Sequence, residues 1–179
     1  MINILTKQIN ESLNNNCYMA ALITAIILPD ICGKAKYPDL KNKERYVNWY
    51  DEYIGNYEIN PVQSIDMPYL SGELVWKLRC SLLHEGNPNV NRNDTGIDYF
   101  ELLWQGNQRC AHIMDHAMVQ KKEDGSIVKK AYLVNIARIC TILCSAAKDY
   151  YTKNKNIFEF FNYNISNVDN ITKNYSKLR

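Results

Sequence analysis

Two stretches of the chain are apolar on nearly every side. The first, YMAALITAIILPDICG, carries eleven residues from Tyr18 to Leu28 before Pro29, and the second is AYLVNIARICTILCSAAKDYYTKN, residues 131–154. Helices that are hydrophobic all round lie in the middle of a bundle, whereas a membrane span needs about 20 consecutive apolar residues. Both stretches therefore predict buried core helices. The first follows a polar turn at NESLNNN and is kinked or restarted at Pro29.

Two further stretches alternate apolar and polar positions with helical spacing. KERYVNWYDEYIGNY, residues 43–57, repeats tyrosine, valine and isoleucine every three or four positions. Tyrosines at this spacing are typical of a core face, and stacking on nucleic-acid bases is the alternative. SGELVWKLRCSLLHEG begins at Ser71, a residue type that caps helix N-termini, and Glu73 lies in the first turn. These patterns predict two amphipathic helices.

The rest of the chain contains one strong strand signal. Asp124-Gly125 is a two-residue hairpin signal, with Val119, Ile127 and Val128 around it. A loop rich in Asn, Asp and Gly precedes this region over residues 86–96. We therefore predict an all-α fold, a helical bundle with a small β-hairpin insertion around Asp124-Gly125. The bundle forms one domain over residues 1–179, in which 155–179 is a loosely packed C-terminal tail.

Composition narrows the class of protein. The chain has 179 residues, 46% of them hydrophobic and 22% charged, and a net charge of +2. Such a near balance excludes an extended basic surface for duplex DNA, so a nucleic-acid contact would be local. Six cysteines form no CxxC pair, and the N-terminal residues have no signal-peptide pattern. We expect a soluble protein of the reducing cytoplasm, without a membrane anchor.

The segment KLRCSLLHEGNP, residues 77–88, places Arg79 five positions before His84. On a regular α-helix this spacing separates two side chains by roughly 140°. Arg79 falls within a stripe of leucines, and His84 falls on the polar side. The two can meet if the helix ends at His84, if the guanidinium reaches past its stripe, or if each meets its counterpart in a second chain. An arginine among leucines also requires an anionic or carbonyl partner.

The string LRCSLLHEGNP resembles the R-x(4–6)-H signature of the HEPN superfamily, with Arg79 and His84 in the matching places. The order of elements is similar too, since NNCYMAALITAIILPDICG and RYVNWYDEYI precede the Arg/His helix as in HEPN-like proteins of bacterial mobile elements and defence loci. The resemblance covers residues 10–150 by order of elements, and its specific part is about a dozen residues. It implies an all-α, HEPN-like bundle.

The resemblance also implies an activity, a metal-independent endoribonuclease of HEPN type that needs no cofactor. In that superfamily a homodimer brings two Arg/His motifs into one cleft, where arginine holds the phosphate and histidine moves the proton of the 2′-hydroxyl or of the leaving oxygen. Arg79 and His84 would be catalytic, with Cys80, Glu85 and Asn87 as supporting neighbours. Many active members carry Asn, Asp or His where this chain has Cys80. RNA is the expected partner, and a cognate antitoxin or other regulatory protein could accompany it.

Three alternatives stay open at this point. Arg79 and His84 could simply satisfy the last carbonyls and the dipole of a helix C-terminus. The chain could be a non-catalytic HEPN-like interaction module of a mobile-element or toxin–antitoxin system, using the same helix as a dimer interface. A metal hydrolase could use His112 and His116, which have the i, i+4 spacing of two ligands, but the chain has no HExxH glutamate. We therefore predict no metal site.

Overall fold

The structure is a computed structural model that describes residues 1–58, 69–87, 89–104, 116–160 and 168. The helices are α1 Ile2–Asn14, α2 Tyr18–Ala25, α3 Leu28–Lys36, α4 Asn42–Tyr50, α5 Asn56–Glu58, α6 Gly72–Cys80, α7 Arg92–Thr95 and α8 Ile136–Lys153. α4 continues into a first π turn, Asp51–Gly55, and α6 into a second π turn, Ser81–Glu85. The strands are β1 Tyr99–Leu103, β2 His116–Lys121 and β3 Ile127–Asn135.

The predicted all-α class is wrong, because the helices share the fold with a three-stranded mixed sheet of order β1-β3-β2. The hairpin at Asp124-Gly125 is present and joins β2 to β3 as an antiparallel pair. It is not a separate insertion, however, since β1 pairs with β3 in parallel. Parallel strands pair across a long connection, and no local pattern in the sequence marks such a partner.

The segment 131–135 is the place where the helix prediction fails. Its apolar run belongs to β3, where Tyr132 pairs with Phe100 of β1 on one side and with Ala117 of β2 on the other. A short apolar run can be a buried strand as well as a helix, and periodicity alone does not separate the two. α8 begins after Asn135, whose side chain accepts a hydrogen bond from the Arg138 N–H at 3.1 Å.

The N-terminal helices differ from the prediction in one respect. NESLNNN is mostly helix rather than turn, because α1 runs to Asn14 and buries Ile2 and Ile9. The prediction at Pro29 is confirmed, since the apolar stretch is divided into α2 and α3 and the proline lies in the first turn of α3. α1 and α2 pack against each other and against α8. The core helices thus come from both ends of the described chain.

Helices α3 and α4, which both carry residues near the candidate site, pack closely against each other. A Cβ atom added at Gly33 would lie 2.5 Å from the carbonyl oxygen of Arg45, so a larger residue cannot occupy this position without a shift of backbone. Tyr46, the next residue of α4, is fully buried and donates a hydrogen bond from its hydroxyl to the Ile26 carbonyl at 2.9 Å. α6 packs on the same helix α4.

Among the described residues, one stretch has the length and mean hydropathy that could cross a membrane, Tyr18–Lys36 near the N-terminus. A core helix of a soluble protein has the same properties, and here Ala21, Leu22 and Ala25 are buried in the core. The stretch is compatible with a soluble protein. A cytoplasmic location stays a prediction.

Much of the predicted tail, residues 155–179, lies outside the described residues. Its first part, Lys155–Phe158, forms a 3₁₀ turn. The Phe158 side chain is buried, and its ring meets those of Tyr150 and Tyr151 at centroid distances of 5.8 and 5.1 Å. This part of the tail therefore packs on the end of α8.

Candidate active site

The helix that carries Arg79 begins as its sequence predicts. The Ser71 hydroxyl accepts a hydrogen bond from the Leu74 N–H at 3.3 Å, which confirms the predicted N-cap. Leu74, Val75 and Leu78 are buried and hold α6 against the core. Gly86 ends the second π turn in the left-handed conformation, with φ of 60°, which favours glycine because it has no Cβ.

The second π turn brings Arg79 and His84 together. Nη1 of Arg79 lies 2.8 Å from Nε2 of His84 in the same chain. A π turn is wound by hydrogen bonds between residues five apart, and here the Gly86 N–H donates to the Ser81 carbonyl. Arg79 lies two residues before this turn and His84 lies within it, so the wider winding reduces the angle between the two side chains below the roughly 140° of a regular α-helix. None of the three routes considered from the sequence involved this change of winding.

Arg79 also binds a carboxylate from another helix. Its Nε donates to Oδ2 of Asp30 in α3 at 3.1 Å, and the two side chains are 19% and 20% exposed. The expectation that an arginine among leucines needs an anionic partner is confirmed. Because one guanidinium edge is held by Asp30, the orientation of Arg79 is set before any ligand arrives.

Aromatic rings pack against one face of the Arg79 guanidinium. The Arg79 Cζ atom lies 4.9 Å from the centre of the Trp76 ring, a cation–π distance. Trp76 meets Tyr46 edge-on at 5.1 Å between centroids. Arg79 is thus fixed by an ion pair on one side and by a stacked ring on another, while His84 remains exposed at the end of the helix.

Two arginine charges act on the Asp30 carboxyl. Burial raises the pKa of Asp30 above its usual range, and the charges of Arg79 and Arg45 act in the opposite direction. Arg45 belongs to α4, at the point where that helix touches α3. Asp30 therefore pairs directly with Arg79, and the charge of Arg45 favours the ionised form of the carboxyl as well.

The supporting residues named from the sequence lie in two different places. Cys80 and Glu85 line a cleft of about 390 Å³ beside α6, together with Trp76. Asn87 instead orders its own loop, since its Oδ1 accepts hydrogen bonds from the backbone N–H and the side-chain amide of Asn89 at 2.9 and 2.7 Å. Cys80 and Glu85 therefore lie in a cleft close to the Arg/His pair, whereas Asn87 has a structural role in its loop.

One of the two alternative metal ligands, His112, lies outside the described residues. The other, His116, begins strand β2, where its backbone pairs with Leu133. Within the described ranges no group of three or more His, Cys, Asp or Glu side chains could hold a metal ion.

Sequence reasoning missed Asp30, Trp76 and Arg45. The sequence indicated only that Arg79 needs an anionic partner. It did not indicate which carboxylate would be that partner. Asp30 is distant in sequence, and it reaches Arg79 because α3 and α6 both pack on α4. Comparison of the chain with known protein families, with curated proteins and with solved structures finds no match.

Proposed function

We propose that the protein binds RNA at Arg79 and His84 and cleaves it without a metal ion. The observation that carries the proposal is the 2.8 Å contact between Arg79 Nη1 and His84 Nε2. Phosphate-binding and proton-transfer groups must both reach one phosphodiester, and here they already touch. The resemblance of residues 77–88 to the HEPN signature supports the same function.

The contact defines the role of one imidazole nitrogen. A guanidinium carries donors and no acceptor, so Nε2 of His84 accepts from Arg79 in this contact. A nitrogen that accepts a hydrogen bond has the lone pair that a general base requires. His84 is also exposed, so a strand of RNA can reach it.

Arg79 keeps donors for a phosphate. Of the five N–H groups of a guanidinium, one is directed to Asp30 and one to His84. The rest, on Nη1 and Nη2, can bind two phosphate oxygens and stabilise the charge that develops on them. When phosphate displaces His84 from Nη1, the imidazole is released to act on the adjacent 2′-hydroxyl.

The reaction proposed for this pair is transesterification within the RNA. Nε2 of His84 takes the proton of the 2′-hydroxyl, the 2′-oxygen forms a bond to phosphorus, and the bond from phosphorus to the 5′-oxygen breaks. The protonated imidazole, or water in exchange with it, then gives a proton to that leaving oxygen, which completes the step. The products are a 2′,3′-cyclic phosphate and a 5′-hydroxyl, and no electron acceptor or metal is needed.

A non-catalytic interaction module is the second candidate, and two observations favour it. Cys80 stands where many active HEPN proteins carry a polar residue, and a thiol is a weak donor and acceptor. Asp30 already satisfies the charge of Arg79 within one chain. In this alternative the α6 surface binds a second copy or a regulatory protein, and homodimerisation is the property to measure.

Substitution of the two residues separates an enzyme from a module. His84→Ala should reduce cleavage by roughly 10²–10⁴-fold, the usual contribution of acid–base catalysis, with little change in RNA affinity. Arg79→Ala should reduce both, and Arg79→Lys should restore affinity better than rate, because an ammonium lacks the bidentate geometry. Cleavage of single-stranded RNA and binding by fluorescence anisotropy give the two readouts.

Two controls complete the experiment. Cys80→Asn supplies the polar residue of many active HEPN proteins and should raise the rate, and a metal chelator should change neither folding nor cleavage. The enzyme proposal is wrong if purified wild type and Cys80→Asn both leave varied RNAs intact while Arg79 and His84 variants lose dimerisation. That result would establish the interaction module.

A further inference from the structure

The cleft beside α6 adjoins the Arg/His pair. It has a volume of about 390 Å³, within the range of about 300–1,000 Å³ that is usual for small-molecule sites. Trp76 lines the cleft, and its ring also lies 4.9 Å from Cζ of Arg79. Glu85 lines it too and directly follows His84 in the chain. A nucleotide bound at the Arg/His pair therefore has a cavity next to it.

Hydrogen-bond acceptors give the cleft its polar character. Glu85 is exposed, and within the part of the chain that the structure describes its carboxylate has no hydrogen bond or ion pair. Asn89 uses its side-chain N–H to bind Asn87 Oδ1 at 2.7 Å, which leaves its own carbonyl oxygen as an acceptor. The Lys77 ammonium, also in the lining, lies 3.8 Å from an Asp94 carboxylate oxygen. A matching ligand presents N–H donors.

Guanine is the RNA base whose Watson–Crick edge fits a carboxylate best. Its N1–H and N2–H donors are adjacent and parallel, so the two oxygens of one carboxylate accept both, as they do from a guanidinium. Adenine and cytosine present one amino donor beside an acceptor nitrogen, and uracil presents one N–H between two carbonyl oxygens. In each of these three bases, an acceptor would face the carboxylate and oppose binding.

We propose that the cleft is a base-specific subsite, which holds a guanine next to the phosphodiester bound by Arg79. Glu85 accepts hydrogen bonds from the N1–H and N2–H of this base, and Trp76 provides the aromatic surface on which it stacks. Aromatic stacking combined with hydrogen bonds to the Watson–Crick edge is how proteins read single-stranded RNA. The inference rests on the proposed function and defines its substrate as single-stranded RNA with a guanosine beside the reacting phosphate.

Oligouridine strands with one variable central nucleotide, G, A, C or U, test the subsite. Cleavage by the full-length wild-type protein is one readout, and binding by the full-length His84→Ala protein, in which the RNA stays intact, is the other. The guanosine strand should be preferred over each of the other three by roughly 5- to 150-fold, the discrimination of one good bidentate pair. Its cleavage should map to a phosphodiester that adjoins the guanosine.

Glu85→Gln should remove most of this preference, because an amide has a donor in place of one of the two acceptor oxygens. Glu123→Gln is the matched control, since it removes the same charge from an exposed residue of the turn between β2 and β3. The control should keep the wild-type preference. Both residues are exposed, so both variants should keep the stability of the wild type.

The outcomes separate this inference from the proposed function. Wild-type protein that cleaves all four strands equally, or whose guanosine preference survives in Glu85→Gln, would overturn the subsite alone. An equal loss of preference in Glu85→Gln and Glu123→Gln would show a diffuse charge effect and would also overturn it. Guanosine-selective binding without any cleavage would support the subsite and overturn the enzyme. Protein that neither binds nor cleaves RNA would overturn both.

Discussion

Helices α4 and α6 pack against each other, and each continues into a π turn, but the two turns have different surroundings. In the first π turn, Asp51 Oδ1 accepts a hydrogen bond from the Gly72 N–H at 2.7 Å and so joins α4 to the N-terminus of α6. A carboxylate at a helix N-terminus also interacts favourably with the helix dipole. Ile54 and Gly55 in this turn are buried.

The other side chains of the first π turn are also engaged within the protein. Glu52 binds Lys36, the last residue of α3, and Tyr37, the residue that follows it. The Tyr53 ring stacks on Trp49 with 5.1 Å between centroids. This turn therefore contributes to cohesion between α3, α4 and α6.

The second π turn exposes polar side chains at the protein surface. Ser81 is buried, whereas His84 and Glu85 are exposed. The polar contact of His84 is with Arg79, and one edge of the imidazole faces solvent. The same backbone winding thus occurs in two environments. In the first turn the polar side chains bind other parts of the protein, whereas in the second turn His84 contacts Arg79 at the surface.

The largest expected effects come from alanine at one polar residue of each turn. His84→Ala should lower cleavage by roughly 10²–10⁴-fold and change the free energy of unfolding by less than about 0.5 kcal/mol, as at other exposed positions. Asp51→Ala should lower the free energy of unfolding by about 1.5–3 kcal/mol, because the α6 N-terminus loses a charge-assisted hydrogen bond. Urea unfolding and RNA cleavage of both variants give the comparison.

A stable Asp51→Ala protein with greatly reduced cleavage would contradict this division between the turns. So would a His84→Ala protein that unfolds as easily as Asp51→Ala. Glu85→Ala is the matched control for the second turn, since its side chain is exposed and changes there should leave stability near the wild-type value.

Substitutions at Gly55 and Gly86 should lower stability by an intermediate amount, for a different physical reason at each position. A Cβ at Gly55 would lie 2.3 Å from Asp51 Oδ1, so Gly55→Ala should cost about 1–3 kcal/mol through crowding. Gly86 has open space around it but a φ of 60°, so Gly86→Ala should cost about 1–2 kcal/mol through backbone strain. Asparagine tolerates the left-handed region.

Thermal or urea unfolding distinguishes the two causes. Gly86→Asn should recover most of the stability that Gly86→Ala loses, whereas Gly55→Asn should be less stable than Gly55→Ala because it is larger. Equal rescue by asparagine at both positions would show that crowding does not limit Gly55.

The smallest effect is a difference in acid response between Glu52 and Asp30. The hydrogen bonds from Lys36 and Tyr37 lower the pKa of Glu52 below its ordinary value of 4.5, so its stabilisation is present above 4.5 and lost as pH falls through the lowered value. Burial raises the pKa of Asp30 above 3.8, so ionisation of Asp30 lowers stability as pH rises through the raised value.

Urea unfolding between about pH 3 and 7 tests these signs. Glu52→Gln should remove less than about 1 kcal/mol of stability near neutral pH, as expected for an exposed pair, and should flatten the decline below 4.5. Asp30→Asn should flatten the opposing slope at slightly higher pH. Slopes of the same sign for the two carboxyls would contradict the pKa directions.

Local signals in the sequence were sufficient to predict several elements of this protein. Ser71 capped the Arg/His helix, Pro29 restarted α3, and Asp124-Gly125 turned the hairpin, since caps, prolines and tight turns act through neighbouring residues. The need of Arg79 for an anionic partner was also predictable. A buried charge requires compensation wherever it lies.

The fold class and the composition of the site, in contrast, depended on tertiary packing. The apolar run 131–135 became a strand because β1 and β2 pair with it on both sides, and that partnership depends on residues far away in the chain. The second π turn, which a sequence pattern based on 3.6 residues per turn does not contain, brought His84 to Arg79. Asp30 and Arg45 joined them because α3, α4 and α6 pack together, and such packing is decided by the whole core rather than by any local signal.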